Sequence, residues 1–528
     1  MSRVAALLVV GLLLPAAARA ALDRDAVAGL AGDDFEVKVD AARRLARSGD
    51  PAALPVLQAL AEGRLEVSGG AVFYRRGAQA YDAASGAALA PVPADAERVA
   101  VNNRVRREAL AGLAALRLLA PDPEVRRAAA EEVAAAPDPA LTPLLSRALA
   151  QEREPRIHAL LSVALAQGRL ASGDPAARLA AARTLGAGTS PAVRAALAAH
   201  LDPAGEPDAG VRAAAKASLD RIELRLAAGE LAGRVFSGLS LGSILLLAAL
   251  GLAITFGVMG VINMAHGELL MIGAYTTYVA ESAFRRYLPG HADWYLLAAL
   301  PLAFAVTALV GAAMERAVVR FLYGRPLETL LATWGVSLFL IQAVRAAFGA
   351  QNVQVANPSW MSGGVEILPG VVLPWNRIAI VGFGLAVLGL VALFLRRTRL
   401  GMLVRAVTQN RPMSSCVGIR TGQVDTVAFA VGAGIAGLGG VALSQLANVG
   451  PDMGQGYIVD SFMAVVLGGV GQLAGTVLAG LGVGIFSKFL EGWAGAVVAK
   501  ILVLVLVIVF IQRRPQGLFA PKGRLVEG

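Results

Sequence analysis

The chain has 528 residues, of which 56% are hydrophobic and 16% charged, against about 25% charge in soluble domains. This excludes an ordinary soluble enzyme and points to a membrane protein of more than one domain. The net charge of +10 comes without an RNA-binding signature or a Lys-rich tract, and the single cysteine, Cys416, excludes an intrachain disulfide and a zinc site of the usual spacing. Nucleic acid is therefore not an expected partner, and the basic residues are read for topology.

The first residues read MSRVAALLVVGLLLPAAARA. Arg3 supplies a short positive region, 4–14 an apolar segment of about 11 residues, and Ala18-Arg19-Ala20 a small-x-small cleavage site. The pattern predicts a signal peptide over 1–20, with an uncleaved anchor as the alternative. That segment is short for roughly 30 Å of hydrocarbon, so the residues after it are expected outside the cytoplasm.

Residues 21–228 are rich in Ala, Arg and Asp and contain no spanning run. Related helical units recur: VKVDAARRLA from Val37, VRRAAAEEVA from Val125, VRAALAAHL from Val193 and VRAAAKASL from Val211. DPAALPVLQAL from Asp50 and DPALTPLLSRAL from Asp138 read as partner helices. Asp-Pro or Glu-Pro ahead of a helix suits the cap and first turn, where proline lacks only an N–H that would go unpaired. The pattern resembles HEAT repeats, stacked helix pairs forming a solenoid; an ordinary Ala-rich bundle is the alternative. Within it, 65–101 carries β-formers around Ser-Gly and Gly-Gly turns, which predicts a small β insertion.

From about Gly233 apolar runs dominate, so 229–528 is read as the membrane domain. The fold class is all-α: a polytopic helical membrane domain preceded by a soluble HEAT-like domain. About nine spans are expected, near 233–257, 264–284, 295–315, 328–346, 377–395, 425–447, 460–472, 475–491 and 497–512. The second and seventh are the candidates for broken or re-entrant helices, tolerated only where protein or water covers the backbone. Arg316, Arg320 and Arg325 fall in one expected inside loop. Arg396, Arg397, Arg399, Arg405, Arg411 and Arg420 fall in the next, 396–424, and Arg513, Arg514, Lys522 and Arg524 in the tail. By the positive-inside rule the N-terminus is outside and the C-terminus inside; Arg285 and Arg286 run against it.

Asn263, His266 and Glu268 interrupt the apolar sequence GVMGVINMAHGELLMIGAY. Ionisable groups at membrane depth are functional candidates. Two readings are open: these residues line a translocation path, or they cap broken helix ends. GVINMAHGELLMIG (260–273) can be set against GVGQLAGTVLAGLG (469–482), which matches Asn263 to Gln472; discontinuous helices at corresponding points of a repeat mark transporter solute sites. In 398–424, Arg405, Gln409 and Asn410 are placed for polar contacts on a cytoplasmic partner. GLSLG (238–242) fits G-x-S-x-G but lies within a span, not on a strand–turn–helix elbow, and is rejected as a nucleophile. The four histidines show no metal spacing, and no phosphate-binding loop of the G-x-x-x-x-G-K-[ST] type is present. No cofactor is expected.

GLAITFGVMGVINMAHGELLMIGAY (251–275) resembles the signature of the branched-chain amino acid and urea permeases of bacterial ABC transporters. RAVTQN (405–410) and VGI (417–419) are similar to that family's ATPase-contacting loop. The leader with its helical domain, and the ending KILVLVLVIVFIQRRPQGLFAPKGR, resemble the urea branch. The resemblance implies an inner-membrane permease subunit for urea, with branched-chain or other amino acids as the alternative. Its partners would be a second homologous permease, two cytoplasmic ATPases that supply all ATP hydrolysis, a periplasmic substrate-binding protein and membrane lipid. Asn263, His266, Glu268 and Gln472 would belong to the path, and Arg405, Gln409, Asn410 and Gly418 to the coupling loop. A membrane-anchored helical-repeat scaffold is the reading of another class, although an anchor needs only one span.

Overall fold

A computed structural model describes residues 22–519, apart from 78, 92, 94, 136–140 and 369–370. The expected leader at 1–20, Asp138, and the tail residues Lys522 and Arg524 lie outside the described residues. Two compact units are present, Met1–Leu226 and Ala227–Gly528.

The first unit begins with α1 (Arg24–Gly29), α2 (Phe35–Arg47) and α3 (Ala53–Ala61). Strands β1 (Leu65–Ser68), β2 (Ala71–Arg76), β3 (Gln79–Asp82), β4 (Ala88–Leu89) and β5 (Glu97–Arg98) follow as an antiparallel sheet of order β4-β3-β2-β1-β5. The β1–β2 turn places Gly69 and Gly70 at φ +56° and +84°, a two-residue turn that side-chain-bearing residues resist. The helices resume as α4 (Asn103–Arg117), α5 (Pro123–Ala135), α6 (Thr142–Gln151), α7 (Pro155–Arg169), α8 (Pro175–Leu185) and α9 (Pro191–Ala199). The core runs along the unit in three clusters. Leu45, Leu57, Leu60 and Val105 form the first, Leu145, Ile157 and Leu161 the second, and Leu185, Val193 and Leu197 the third. Each fully buried leucine contributes roughly 2 kcal/mol.

The Asp-Pro helix starts have a specific chemistry. Asp174 accepts from the N–H groups of Ala176 and Ala177 while Pro175 occupies the first turn; Glu154, one methylene longer, makes no such cap. Four residues after Asp122, Asp174 and Asp208 stands an arginine that turns back on the two carbonyls preceding the aspartate. Arg126 donates to Ala120 and Pro121 at 3.0 and 2.9 Å, Arg178 to Ser172 and Gly173 at 2.9 and 3.1 Å, and Arg212 to Glu206 and Pro207 at 2.7 and 2.8 Å. Arg126 also makes a two-pronged bond to Glu152, and Arg178 to Glu206. After Asp34 the equivalent residue is Lys38, whose buried ammonium donates to the Ala100 carbonyl at 2.8 Å. Burial lowers its pKa from the usual lysine value.

The second unit takes up α10 (Ala209–Met259) from residue 227. It continues with α11 (His266–Tyr287), α12 (Tyr295–Ala317), α13 (Pro326–Phe348), the hairpin β6 (Gly364–Leu368) and β7 (Val371–Pro374), α14 (Trp375–Arg397), α15 (Arg399–Gln409) and α16 (Arg411–Cys416). The last four are α17 (Thr421–Ser444), α18 (Met453–Gly468), α19 (Leu473–Ala494) and α20 (Ala496–Arg513). Among the described residues seven helices are long and apolar enough to cross a membrane: α10, α12, α13, α14, α17, α19 and α20. The two that fall short are α11, which carries Glu268, Glu281, Arg285 and Arg286, and α18, with 16 residues. The seventh expected segment, 460–472, needs correcting: its helix starts at Met453 and stops at Gly468, because Gly469 takes φ +97° and ends the turn.

Helix α17 is the centre of this unit. Its glycines let the backbones of α10, α11 and α12 close on it, as small residues do where hydrophobicity gives helices no reason to associate. A Cβ added to Gly432 would lie 2.6 Å from the Gly251 carbonyl of α10, one on Gly273 of α11 2.6 Å from the Gly437 Cα, and one on Gly434 2.5 Å from the Phe304 ring of α12. The GLSLG stretch serves packing as well. A Cβ on Gly242 would come within 2.9 Å of the Leu481 Cα on α19.

Candidate translocation path

Two helix breaks face each other. The first lies between α10 and α11, where Gly260 has φ +67°. The second lies between α18 and α19, where Gly469 and Gly471 have φ +97° and +79°. Gly471 packs against Gly257; a Cβ on Gly257 would lie 3.1 Å from its Cα. The end of α10, just ahead of the first break, is thus a neighbour of the second break in space.

Asn263 and His266 lie inside the protein at the first break. The Asn263 Oδ1 accepts from the Ala265 N–H at 3.0 Å, and its main-chain oxygen accepts from the His266 N–H. The His266 ring, fully buried, is 2.9 Å through Nε2 from the Ala248 carbonyl of α10. A carbonyl only accepts, so Nε2 carries the proton and Nδ1 is left with its lone pair. Glu268, 2% exposed, stands in the first turn of α11. Both capping and something beyond it are visible here: Asn263 Nδ2, His266 Nδ1 and Glu268 Oε2 are buried without a partner among the described residues. Three such atoms within six residues are unusual, since buried polar groups are nearly always paired.

Gln472 lies at the second break, at the head of α19. It lines a cleft of about 730 Å³ that also takes in Gly257 and Val258 of α10, Leu388 and Arg396 of α14, and Arg405 and Gln409 of α15. Asn263, His266 and Glu268 do not line this cleft. The structure therefore groups Gln472 with the arginine-rich loop, and the other three with the α10–α11 break.

The loop 396–424 folds as two short helices. Thr398 caps α15, and Asn410 caps α16 by accepting from the Met413 N–H at 2.9 Å. Arg405 and Gln409 are exposed. Gly418, at φ +86°, turns the chain after α16.

Sequence reasoning missed a polar cluster at the opposite end of the unit. The segment between α13 and α14 is tied down there by paired main-chain bonds of 2.8 Å between Val353 and Val449. Tyr295 donates to the Ala356 carbonyl at 2.7 Å, Glu281 accepts from the Ala356 N–H at 3.1 Å, and Asn376 donates to the Gln445 carbonyl at 3.3 Å. Arg285, which ran against the charge rule, pairs with the buried Glu281 at 2.8 Å. Arg345 pairs with Asp452. The signal available in the sequence was Glu281 four residues ahead of Arg285, one helical turn apart at the end of a span.

Comparison with known proteins agrees with this architecture. The profile of the branched-chain amino acid transport system / permease component family matches residues 234–511. The high-affinity branched-chain amino acid transport system permease protein BraD of Pseudomonas aeruginosa is 30% identical over 291 residues, covering 54% of this chain and 94% of the relative. LivH of Escherichia coli K12, which has the same descriptive name, gives the same figures. A probable branched-chain amino acid transport permease protein LivH of Methanocaldococcus jannaschii is 24% identical, over 52% of this chain and 88% of the relative. No solved structure matches. None of these three relatives is named for urea, so the expectation of a urea permease gains no support from them. The chain, transport subunit and not enzyme, belongs to the branched-chain amino acid transport system permease component family.

Proposed function

We propose that this protein is a permease subunit of an ATP-driven importer for branched-chain amino acids. The observation that carries the reading is the single cleft that joins Gln472, at a helix break, to Arg405 and Gln409 on the exposed α15. A solute path and a surface for an engine subunit are thereby adjacent. Ile254, Val258, Leu388 and Leu395 give the cleft an aliphatic wall, while Arg396 and Arg405 supply positive charge and no acid lines it. That chemistry suits a carboxylate with a branched apolar side chain. Asn263, His266 and Glu268, with their unpartnered atoms, are the polar groups a solute or its water would meet at the first break.

On this reading α15 and α16, with Arg405, Gln409 and Gly418, face the cytoplasm and meet two ATPase subunits. The first unit lies outside, where a substrate-binding protein delivers solute, and a second permease completes the path in the inner membrane. The first unit is a HEAT-like stack interrupted by the β insertion. Urea is the second reading; it rests on the resemblance of the leader, the helical domain and the chain's ending to the urea branch, and the similarity to amino acid permeases leaves the first unit uncovered. The test is uptake of labelled leucine and labelled urea by cells lacking this subunit, then complemented. Leucine uptake should recover at least tenfold with urea uptake unchanged; recovery of urea uptake alone overturns the amino acid reading.

A further inference from the structure

Behind the exposed face of α15 and α16 lies a buried charge network that the path does not use. Arg411, the first residue of α16, makes a two-pronged bond to Asp425, the fifth residue of α17, at 3.1 and 2.5 Å. The carboxylate is 0% exposed and the guanidinium 37%. The same guanidinium lies 4.3 Å from the centre of the Tyr323 ring, in the connection between α12 and α13. One residue further on, Thr426 donates to Glu315 of α12 at 2.6 Å, and that acid is also buried. Arg411 is thus held by α17 on one side and by the α12–α13 connection on the other.

A paired guanidinium and carboxylate form a tie of fixed orientation, which a point charge does not. From Asp425 the rigid path runs along α17 to Gly432, which packs backbone to backbone on Gly251 of α10. A Cβ on Gly251 would in turn lie 3.1 Å from the His266 ring. We infer that Arg411–Asp425 is the tie through which movement of the α15–α16 loop is passed to α17 and so to the α10–α11 break. Arg411 and Asp425 are positioning residues: neither touches solute nor lines the cleft. The inference rests on the reading of 396–424 as the ATPase-contacting loop.

The experiment uses the complete transporter in proteoliposomes, with its binding protein and ATPases, and measures labelled leucine taken up per ATP hydrolysed. Arg411→Gln leaves a buried carboxylate unpaired and carries a folding risk, so the decisive variant is the double substitution Arg411→Met with Asp425→Leu, which removes both charges together. The expected result is a complex that retains its ATPases and hydrolyses ATP within twofold of the parent rate, with leucine uptake per ATP at least tenfold lower. Arg411→Lys should fall between the two. Unchanged uptake per ATP in the double variant overturns the tie. So does loss of the ATPases from that variant, since the pair would then be part of the docking surface. Arg405→Glu is measured in parallel: it should release the ATPases or abolish uptake. Full uptake with both ATPases retained in Arg405→Glu removes the loop reading and the tie with it. An effect of Arg405→Glu beside a silent double variant removes the tie alone.

Discussion

At the scale of single residues, the first unit depends on a few buried guanidinium–carboxylate pairs. Two-pronged bonding to Arg126, helped by main-chain N–H groups and opposed by burial, holds Glu152 down to about 2. Arg178 does the same for Glu206, also to about 2. Both values lie below the roughly 4.3 of a free glutamate. Folding therefore gains stability from these groups that is complete above pH of about 4.3 and drains away as pH falls towards 2. Amide exchange of the full-length protein should accelerate at the heads of α5 and α8 across that window, relative to other segments at the same pH. Substituting Arg126 or Arg178 by Ala strands a buried carboxylate and frees two carbonyls, and should destabilise the unit by about 3 kcal/mol; thermal melts of the variants check this.

At the scale of elements, the glycines of α17 decide what its neighbours can do. Gly432→Leu would push a side chain into the Gly251 carbonyl, and Gly434→Leu into the Phe304 ring. Each should cost at least 1–3 kcal/mol by overpacking, read as a lower melting temperature and loss of the folded fraction in detergent. A leucine at Gly482 or Gly389, where an added Cβ meets nothing within 4 Å, should be neutral by the same measure. The seven long apolar helices found among the described residues were legible as apolar runs, because lipid imposes length and composition directly. The start of α18 was not, because Gln455 and Asp460 are polar; in the fold Lys500 of α20 pairs with Asp460 at 3.3 Å. Asn410 was legible as a polar loop residue but not as a cap, because the cap depends on the chain bending back at Pro412. The grouping of Gln472 with Arg405 and Gln409 came only with tertiary structure, since 67 residues of sequence separate Gln472 from Arg405.

At the scale of the whole molecule, the two units differ in what they share with relatives. The permease similarity lies within 234–511, so the second unit should hold what the transport step needs. If the first unit recruits the binding protein, removing 22–226 should leave the maximal uptake rate within threefold and raise the binding-protein concentration needed for half of it at least fivefold. Uptake titrated against binding protein distinguishes this from a scaffold role, in which uptake would not respond. The ends of the second unit are also unequal: the arginine-rich end has an open cleft, while the other is closed by main-chain and side-chain bonds around Val353, Ala356 and Gln445.

That closed end has a consequence for leakage. If a transport cycle opens this end, it parts the hydrogen bonds made by Val353, Val449, Tyr295, Glu281 and Asn376. At about 1 kcal/mol net for each of these bonds, opening would cost on the order of 5 kcal/mol, which leaves roughly one molecule in several thousand open at that end at rest. Such a subunit keeps accumulated solute from running back between power strokes, and its idle permeability should rise several-fold for each of these bonds that is removed.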